Sequence, residues 1–149
     1  MRESNITTLN LSEAGEELPL LPDGEYEVMY VRHITREQFG TSKAVFYFEV
    51  MDYGKWHGVQ LERFYNVERL TSKRGKNGSF VPALRGSFMI DYCVCFGLPK
   101  RRDRISLSKF KGKIFTIKVR AVKRNHVQRK YPECMQYSVI DSIIGVKDI

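Results

Sequence analysis

Apolar and polar residues alternate with a period of two along most of the chain, and the one stretch where that period lengthens marks a helix. From 25 to 33, Tyr26, Val28 and Tyr30 interleave with Glu25, Glu27 and Met29, the pattern of a half-buried strand that runs on through Val31 and Arg32. A second strand is predicted over 44–53. Ala44, Phe46, Phe48 and Val50 share its core face, and Val45, Tyr47, Glu49, Met51 and Tyr53 the other, because successive strand side chains point to opposite sides. Gly54 to Gly58 turns the chain into a third strand over 59–68, where Val59, Leu61, Arg63, Tyr65 and Val67 oppose Gln60, Glu62, Phe64 and Asn66. Neither face is clean, which predicts a bulge near Glu62 or an exposed aromatic. Between Pro82 and Phe96 apolar residues recur every three or four positions, and Gly97 and Pro99 supply a helix stop. Period two returns over 113–123, with Phe115, Ile117, Val119 and Ala121 inward and Thr116, Lys118 and Arg120 outward, and a last strand is predicted over 137–144.

The connections between these elements are polar. His33 to Lys43 is expected to be a loop carrying Arg36, Phe39 and Lys43. The segment 71–79, with Lys73, Arg74 and Lys76 among glycines and serines, has the composition of a mobile basic loop in which no helix or strand is expected. A further basic connection over 124–135 holds Arg124, His126, Arg129, Lys130 and Tyr131. Residues 1–22 are polar and acidic and are expected to form a flexible arm, leaving one domain over 23–149, since 149 residues is the size of a single core. Three antiparallel strands, a helix and two more strands is the element order of a five-stranded, mainly β barrel of the OB-fold type, with its helix between strands three and four. Such barrels bind single strands on the face of strands two and three and on the loops joining strands one to two and four to five.

Charge sharpens that expectation. The chain carries 25 Lys and Arg against 17 Asp and Glu, but residues 1–53 hold four basic and ten acidic residues, so the remaining 96 carry +14. Thirteen basic residues fall within 100–130 against Asp103 alone. A polyanionic partner follows from such clustering. With no apolar run near the ~18 residues needed to span a bilayer, and no apolar secretory leader, a soluble protein of the cytoplasm is expected. Three cysteines, Cys93, Cys95 and Cys134, cannot all pair within the chain and fit a reducing compartment.

An unpaired strand offers a phosphate chain and unstacked bases, so a site for it needs cations along a track with flat rings beside them, each ring worth about 1 to 3 kcal/mol per base. The candidates are Arg36, Phe39 and Lys43 in the first connection and Arg124, Arg129, Lys130 and Tyr131 in the last. Tyr47, Arg63, Phe64 and Tyr65 join them from strands two and three, with Trp56 from the turn between, Lys118 and Arg120 from strand four, and Lys73 and Arg74 from the mobile loop. Aromatic residues of a small barrel are more often core than ligand-facing. Tyr47 best escapes that assignment, because Phe46 and Phe48 already claim the interior, and Trp56 is next. The knot Lys100-Arg101-Arg102-Asp103-Arg104 lies outside the usual groove and is read as secondary electrostatic help.

Catalytic signals are weak. Cys93-Val94-Cys95 lacks the two-residue spacer of zinc ligand pairs, so buried free thiols are the reading, and the three histidines have no nucleophile beside them. Gly75-Lys76-Asn77-Gly78 is not a nucleotide-binding loop. Glu49, Asp52, Glu62 and Glu68 are spread rather than clustered, which argues against a metal-dependent nuclease. No enzyme and no cofactor are expected.

Leu21-Pro22-Asp23-Gly24-Glu25-Tyr26-Glu27-Val28, Ala44-Val45-Phe46-Tyr47-Phe48-Glu49-Val50 and Phe110-Lys111-Gly112-Lys113-Ile114-Phe115-Thr116-Ile117-Lys118-Val119 together resemble single-stranded DNA-binding proteins of phages and mobile elements with the OB-fold, over roughly residues 21–145. The resemblance implies largely sequence-independent coating of single-stranded DNA during replication or recombination, with replication or recombination proteins and a second copy of the chain as further partners. The acidic tail with which many single-strand binders recruit enzymes has no counterpart at Ile143 to Ile149, and Glu13, Glu16 and Glu17 are the acidic group left for such a role. Three other readings stay open: an RNA-binding barrel, a DNA-processing nuclease, and an adaptor whose basic face meets an acidic protein.

Overall fold

The computed structural model describes residues 18–148. The chain forms a mainly β structure with strands β1 (Gly24–Gln38), β2 (Thr41–Val50), β3 (Gln60–Asn66), β4 (Arg69–Leu70), β5 (Gly75–Lys76) and β6 (Phe80–Val81), then helix α1 (Ser87–Phe96), then β7 (Lys113–Val122) and β8 (Tyr137–Asp148). The main sheet is antiparallel in the order β3-β2-β1-β7-β8, and β5 adds to a free stretch of β1. Strands β3 and β8 approach each other, but among the described residues no ladder joins them, so the sheet curls without closing. β4 and β6 form a separate two-stranded ribbon.

β1 serves two walls. Its first half pairs with β7 from Gly24 to Val28, and its length from Val28 to Gln38 pairs with β2. The register shifts between Tyr30 and Arg32, leaving Val31 as an extra residue that reverses the inward side of the strand. Before it, Val28 and Tyr30 face the interior; after it, His33 and Thr35 do, both 2% exposed. The apolar core is strongly aromatic. Phe46, Phe48, Phe88, Phe110 and Phe115 pack with Tyr30, Tyr65 and Tyr92, with ring centroids such as Phe110 to Phe115 at 5.3 Å.

Helix α1 buries Phe88, Met89, Asp91 and Tyr92 across the ends of β3 and β8. It begins at Ser87 rather than near Pro82. Gly86 is extended there and forms the N-cap, and the residues just before it make a turn in which the Gly86 amide donates to the Ala83 carbonyl at 3.2 Å. Gly97, at φ 80°, ends it as expected. One buried polar triad ties helix to sheet: Asp91 accepts from Tyr65 Oη at 2.7 Å and from Arg63 Nε at 3.0 Å. Burial, and then the Asp91 charge, push the Tyr65 phenol well above its ordinary pKa.

Four expectations are corrected, and one pair of alternatives is decided. His33 to Lys43 is not a loop, because both strands run on to a two-residue turn, Phe39-Gly40, with φ of 54° and 73°. Positive φ at both central residues is the turn that matches strand twist, and it lets the hairpin extend. The basic segment 71–79 is not structureless: β5 pairs with Ile34 and Thr35 where β7 has left that edge of β1. Gly78 makes the docking possible, since a Cβ there would sit 2.2 Å from Thr35 Oγ1. Residues 18–22 are not all loose arm, as Leu21 is core and both it and Pro19 hydrogen-bond to Ser138; residues 1–17 lie outside the described residues. No bulge occurs at Glu62; the alternative, an exposed aromatic, is found at Phe64, 41% exposed. The cysteines are free, but none is fully buried: Cys93 and Cys95 are half-buried and Cys134 is exposed, and burial pushes the Cys95 thiol up to about 12.

His33 stacks on Phe46 at 4.8 Å; its Nε2 donates to the Gly78 carbonyl at 2.8 Å, so Nδ1 accepts from the Tyr30 hydroxyl at 2.8 Å. Burial lowers its pKa from 6.5, with the Gly78 bond opposing. The unfolded chain therefore binds the extra proton more readily than the folded one. This contribution to stability is full above the unfolded value and is lost as pH falls below it. The urea midpoint should accordingly drop between pH 7 and pH 5, and drop less in His33→Gln. Asp91→Ala, which strands Arg63 and the Tyr65 hydroxyl, should cost about 3 to 5 kcal/mol in the same measurement, the range for removing one partner of a buried pair.

Candidate nucleic-acid interface

The outer face of β1, β2 and β3 is ordered by the strand register into three transverse rows. Cross-strand partners place Arg32, Tyr47 and Glu62 in the first, Ile34, Val45 and Phe64 in the second, and Arg36, Lys43 and Asn66 in the third. Side chains directly opposite on one face are close neighbours, and the contacts follow. The Arg32 guanidinium lies 4.1 Å from the Tyr47 ring centroid, and that of Arg36 lies 5.8 Å from Phe64. Val45 at the centre is only 1% exposed although it points away from the core. Lys43 Nζ donates to Asn66 Oδ1 at 2.6 Å.

Two basic connections flank this face. At the tip of the β1–β2 hairpin, Phe39 is 92% exposed. β5 lies along the same hairpin and carries the 71–79 segment with it, setting Arg74 Nη1 3.8 Å from Glu37 Oε1 and bringing Lys73 to the hairpin's edge. The connection over 123–136 is a tight loop, bridged between Arg124 and Lys130 and folded around the Asn125 side chain, which accepts from the Val127 and Arg129 amides. Lys123, Arg129, Lys130 and Tyr131 line an open depression there. This loop adjoins the β3 face through Tyr137, whose phenol pKa is raised by burial and then by the neighbouring Tyr131 and Glu62. Burial likewise raises the Glu62 carboxyl, against the pull of Arg36 and Arg32.

The structure thus brings Arg36, Phe39, Lys43, Tyr47 and Phe64 onto one face, with Lys73 and Arg74 beside it and Arg124, Arg129, Lys130 and Tyr131 in the loop that adjoins it. It does not bring the other candidates there. Tyr65 is 1% exposed and belongs to the core, and Arg63 points inward to Asp91, so neither is available to a ligand: both occupy the inward register of β3. Trp56 packs against the core from the turn at the opposite end of β2, capped by Lys55 at 4.9 Å. Lys118 and Arg120 lie on the β7 wall, where Arg120 Nε pairs with Asp141 Oδ1 at 2.8 Å, although the Arg120 charge reaches Tyr137 and opposes the rise of its phenol pKa.

Arg32, Glu62, Asn66, Lys123 and Tyr137 contribute here without having been among the sequence candidates. Strict alternation from Tyr30 places Arg32 on the core face, and only the extra residue at Val31 turns it outward. A separate cavity, lined by Tyr30, His33, Phe80, Phe88 and Ile105, lies on the inner side of the sheet, away from the three rows. Among the described residues no group of three or more His, Cys, Asp or Glu is placed to hold a metal ion, and no helix is long and apolar enough to cross a membrane. Comparison with protein-family models, with curated proteins and with solved structures finds no match to this chain.

The hairpin tip separates folding from binding in a testable way. Phe39 occupies a left-handed position that a bulky residue adopts at a cost and that asparagine tolerates. Phe39→Asn should leave the thermal midpoint equal or higher, while weakening any ligand that needs the exposed ring.

Proposed function

We propose that this chain is a single-stranded DNA-binding module of the OB-fold type that acts without catalysing a reaction. The observation that carries the reading is the placement of cations and flat rings in shared rows on the outer face of β1, β2 and β3, with basic connections on both flanks. The strand order 3-2-1-4-5, counting β7 and β8 as the fourth and fifth strands, with a helix between the third and fourth, also supports it. In a barrel of this type that face and those two connections are where single strands bind. Phosphates would run past Arg36, Lys43, Lys73, Arg74, Arg124, Arg129 and Lys130, while bases stack on Phe39, Tyr47, Phe64 and Tyr131. Backbone neutralisation and stacking are both indifferent to sequence, which suits coating of strands exposed during replication or recombination of a phage or mobile element, in the interior of a cell. RNA is the second reading, since stacking and phosphate pairing serve either sugar.

Titration of labelled oligothymidine, matched oligouridine and a duplex at two salt concentrations tests this. Oligothymidine should bind tightest, with log affinity falling by roughly 0.7 per phosphate contact per log unit of salt. Tyr47→Ala should weaken binding by about 1 kcal/mol, the low end of the stacking range because Arg32 already covers part of the ring, with the salt slope unchanged, and Lys130→Ala should lower the slope. Equal affinity for duplex would overturn the stacking component, and cleavage on addition of magnesium would overturn the non-enzymatic reading.

A further inference from the structure

Glu62 is the misfit of the outer face. It is a half-buried carboxylate in the row of Arg32 and Tyr47, two residues from Phe64 on the same side of β3, at one corner of a surface otherwise suited to an anion. Among the described residues no hydrogen bond or ion pair engages it, although Arg36 and Arg32 stand close enough to influence its charge. Arg36 is equally uncommitted: its guanidinium rests over Phe64 and its Nε is buried without a partner. A desolvated acceptor beside an unanchored donor, next to an exposed ring, describes half of a hydrogen-bonding site whose other half is absent.

The missing half must donate to a carboxylate and accept from a guanidinium while lying flat on a ring. Unpaired bases present such edges, and they differ. Thymine offers one N–H between two carbonyls, which repel a carboxylate. Adenine and cytosine each offer an amino group beside a ring nitrogen that accepts. Guanine alone offers two adjacent donors, N1–H and the N2 amino group, next to an accepting O6.

Resting on the single-strand reading above, we propose that Glu62 and Arg36 form a guanine-reading subsite, in which the Glu62 carboxylate accepts from N1–H and N2–H of an unpaired guanine stacked at Phe64 and the Arg36 guanidinium donates to O6. The module thereby gains a preference for guanine at one position of an otherwise sequence-indifferent track.

The full chain is titrated with oligothymidine carrying one central guanine, inosine, adenine or cytosine, and with plain oligothymidine. The guanine oligomer should bind about tenfold tighter than plain oligothymidine, within the range that one bidentate contact gives. Inosine, which lacks the N2 amino group, should lose most of that gain. Glu62→Gln should bring guanine and thymine within about twofold of each other, the ratio being read on the same folded protein. Equal binding of all five oligomers by the unaltered chain overturns the subsite and leaves the single-strand reading standing. Guanine preference that persists in Glu62→Gln also overturns it, as does equal binding of inosine and guanine. Failure to bind any of the oligomers overturns the single-strand reading itself.

Discussion

One extra residue in β1 sets the geometry on which both the core and the outer face depend. Without the register shift at Val31, the alternation begun by Val28 and Tyr30 would carry Arg32, Ile34 and Arg36 into the aromatic interior and turn His33 and Thr35 to solvent. Two guanidinium groups cannot be buried in such a core without partners. The bulge resolves the conflict: the strand keeps pairing with β2, and its cations arrive opposite Tyr47 and near Phe64. It also strengthens the local twist, which lets a single strand leave the β7 wall after Val28 and continue as one arm of a hairpin.

The inward turn of His33 and Thr35 has its own consequence. Both meet the 75–78 segment, His33 through the Gly78 carbonyl and Thr35 through Gly75. A basic segment with little apolar content is thereby held against the hairpin by sheet pairing and by a neutral imidazole bonded at both nitrogens. The same residues that complete the core at this end fix where Lys73 and Arg74 stand. Core and candidate interface are therefore two sides of one stretch of β1, which explains why a polar segment that could not fold alone is ordered here.

Much of this was legible in the residue pattern, and the failures have identifiable causes. Strong alternation in 44–50 and 113–122 located β2 and β7 within a few residues, because both faces of those strands are chemically distinct. The core assignment of Phe46 and Phe48 against Tyr47 followed from the same alternation and is what the structure shows. The hairpin beyond His33 was missed because its outer residues are polar on purpose and its turn uses phenylalanine where asparagine is usual, so composition reads as loop. Arg63 and Tyr65 were misplaced as ligands for a different reason. Their inward register was visible, but the acid that satisfies them, Asp91, lies on a helix 26 to 28 residues away, and no local pattern announces a buried triad.

The arginine-over-ring arrangement also limits what the face can do. Tyr47 and Phe64 are already covered in part by Arg32 and Arg36, contacts worth about 0.5 to 2 kcal/mol depending on desolvation. A base stacking on either ring gains about 1 to 3 kcal/mol but must first move the guanidinium aside, so the net gain per ring is a fraction of the gross value. Phe39, with no cation over it among the described contacts, loses nothing in this way. On the proposed reading a displaced guanidinium would not be idle, because it would be freed beside a phosphate chain or a base edge, where a charge-assisted bond would replace the cation–π contact. On the proposed single-strand reading the face would exchange an internal pairing for an external one, and its affinity would reside mainly in phosphate neutralisation, with the rings supplying the distinction between single strands and duplex.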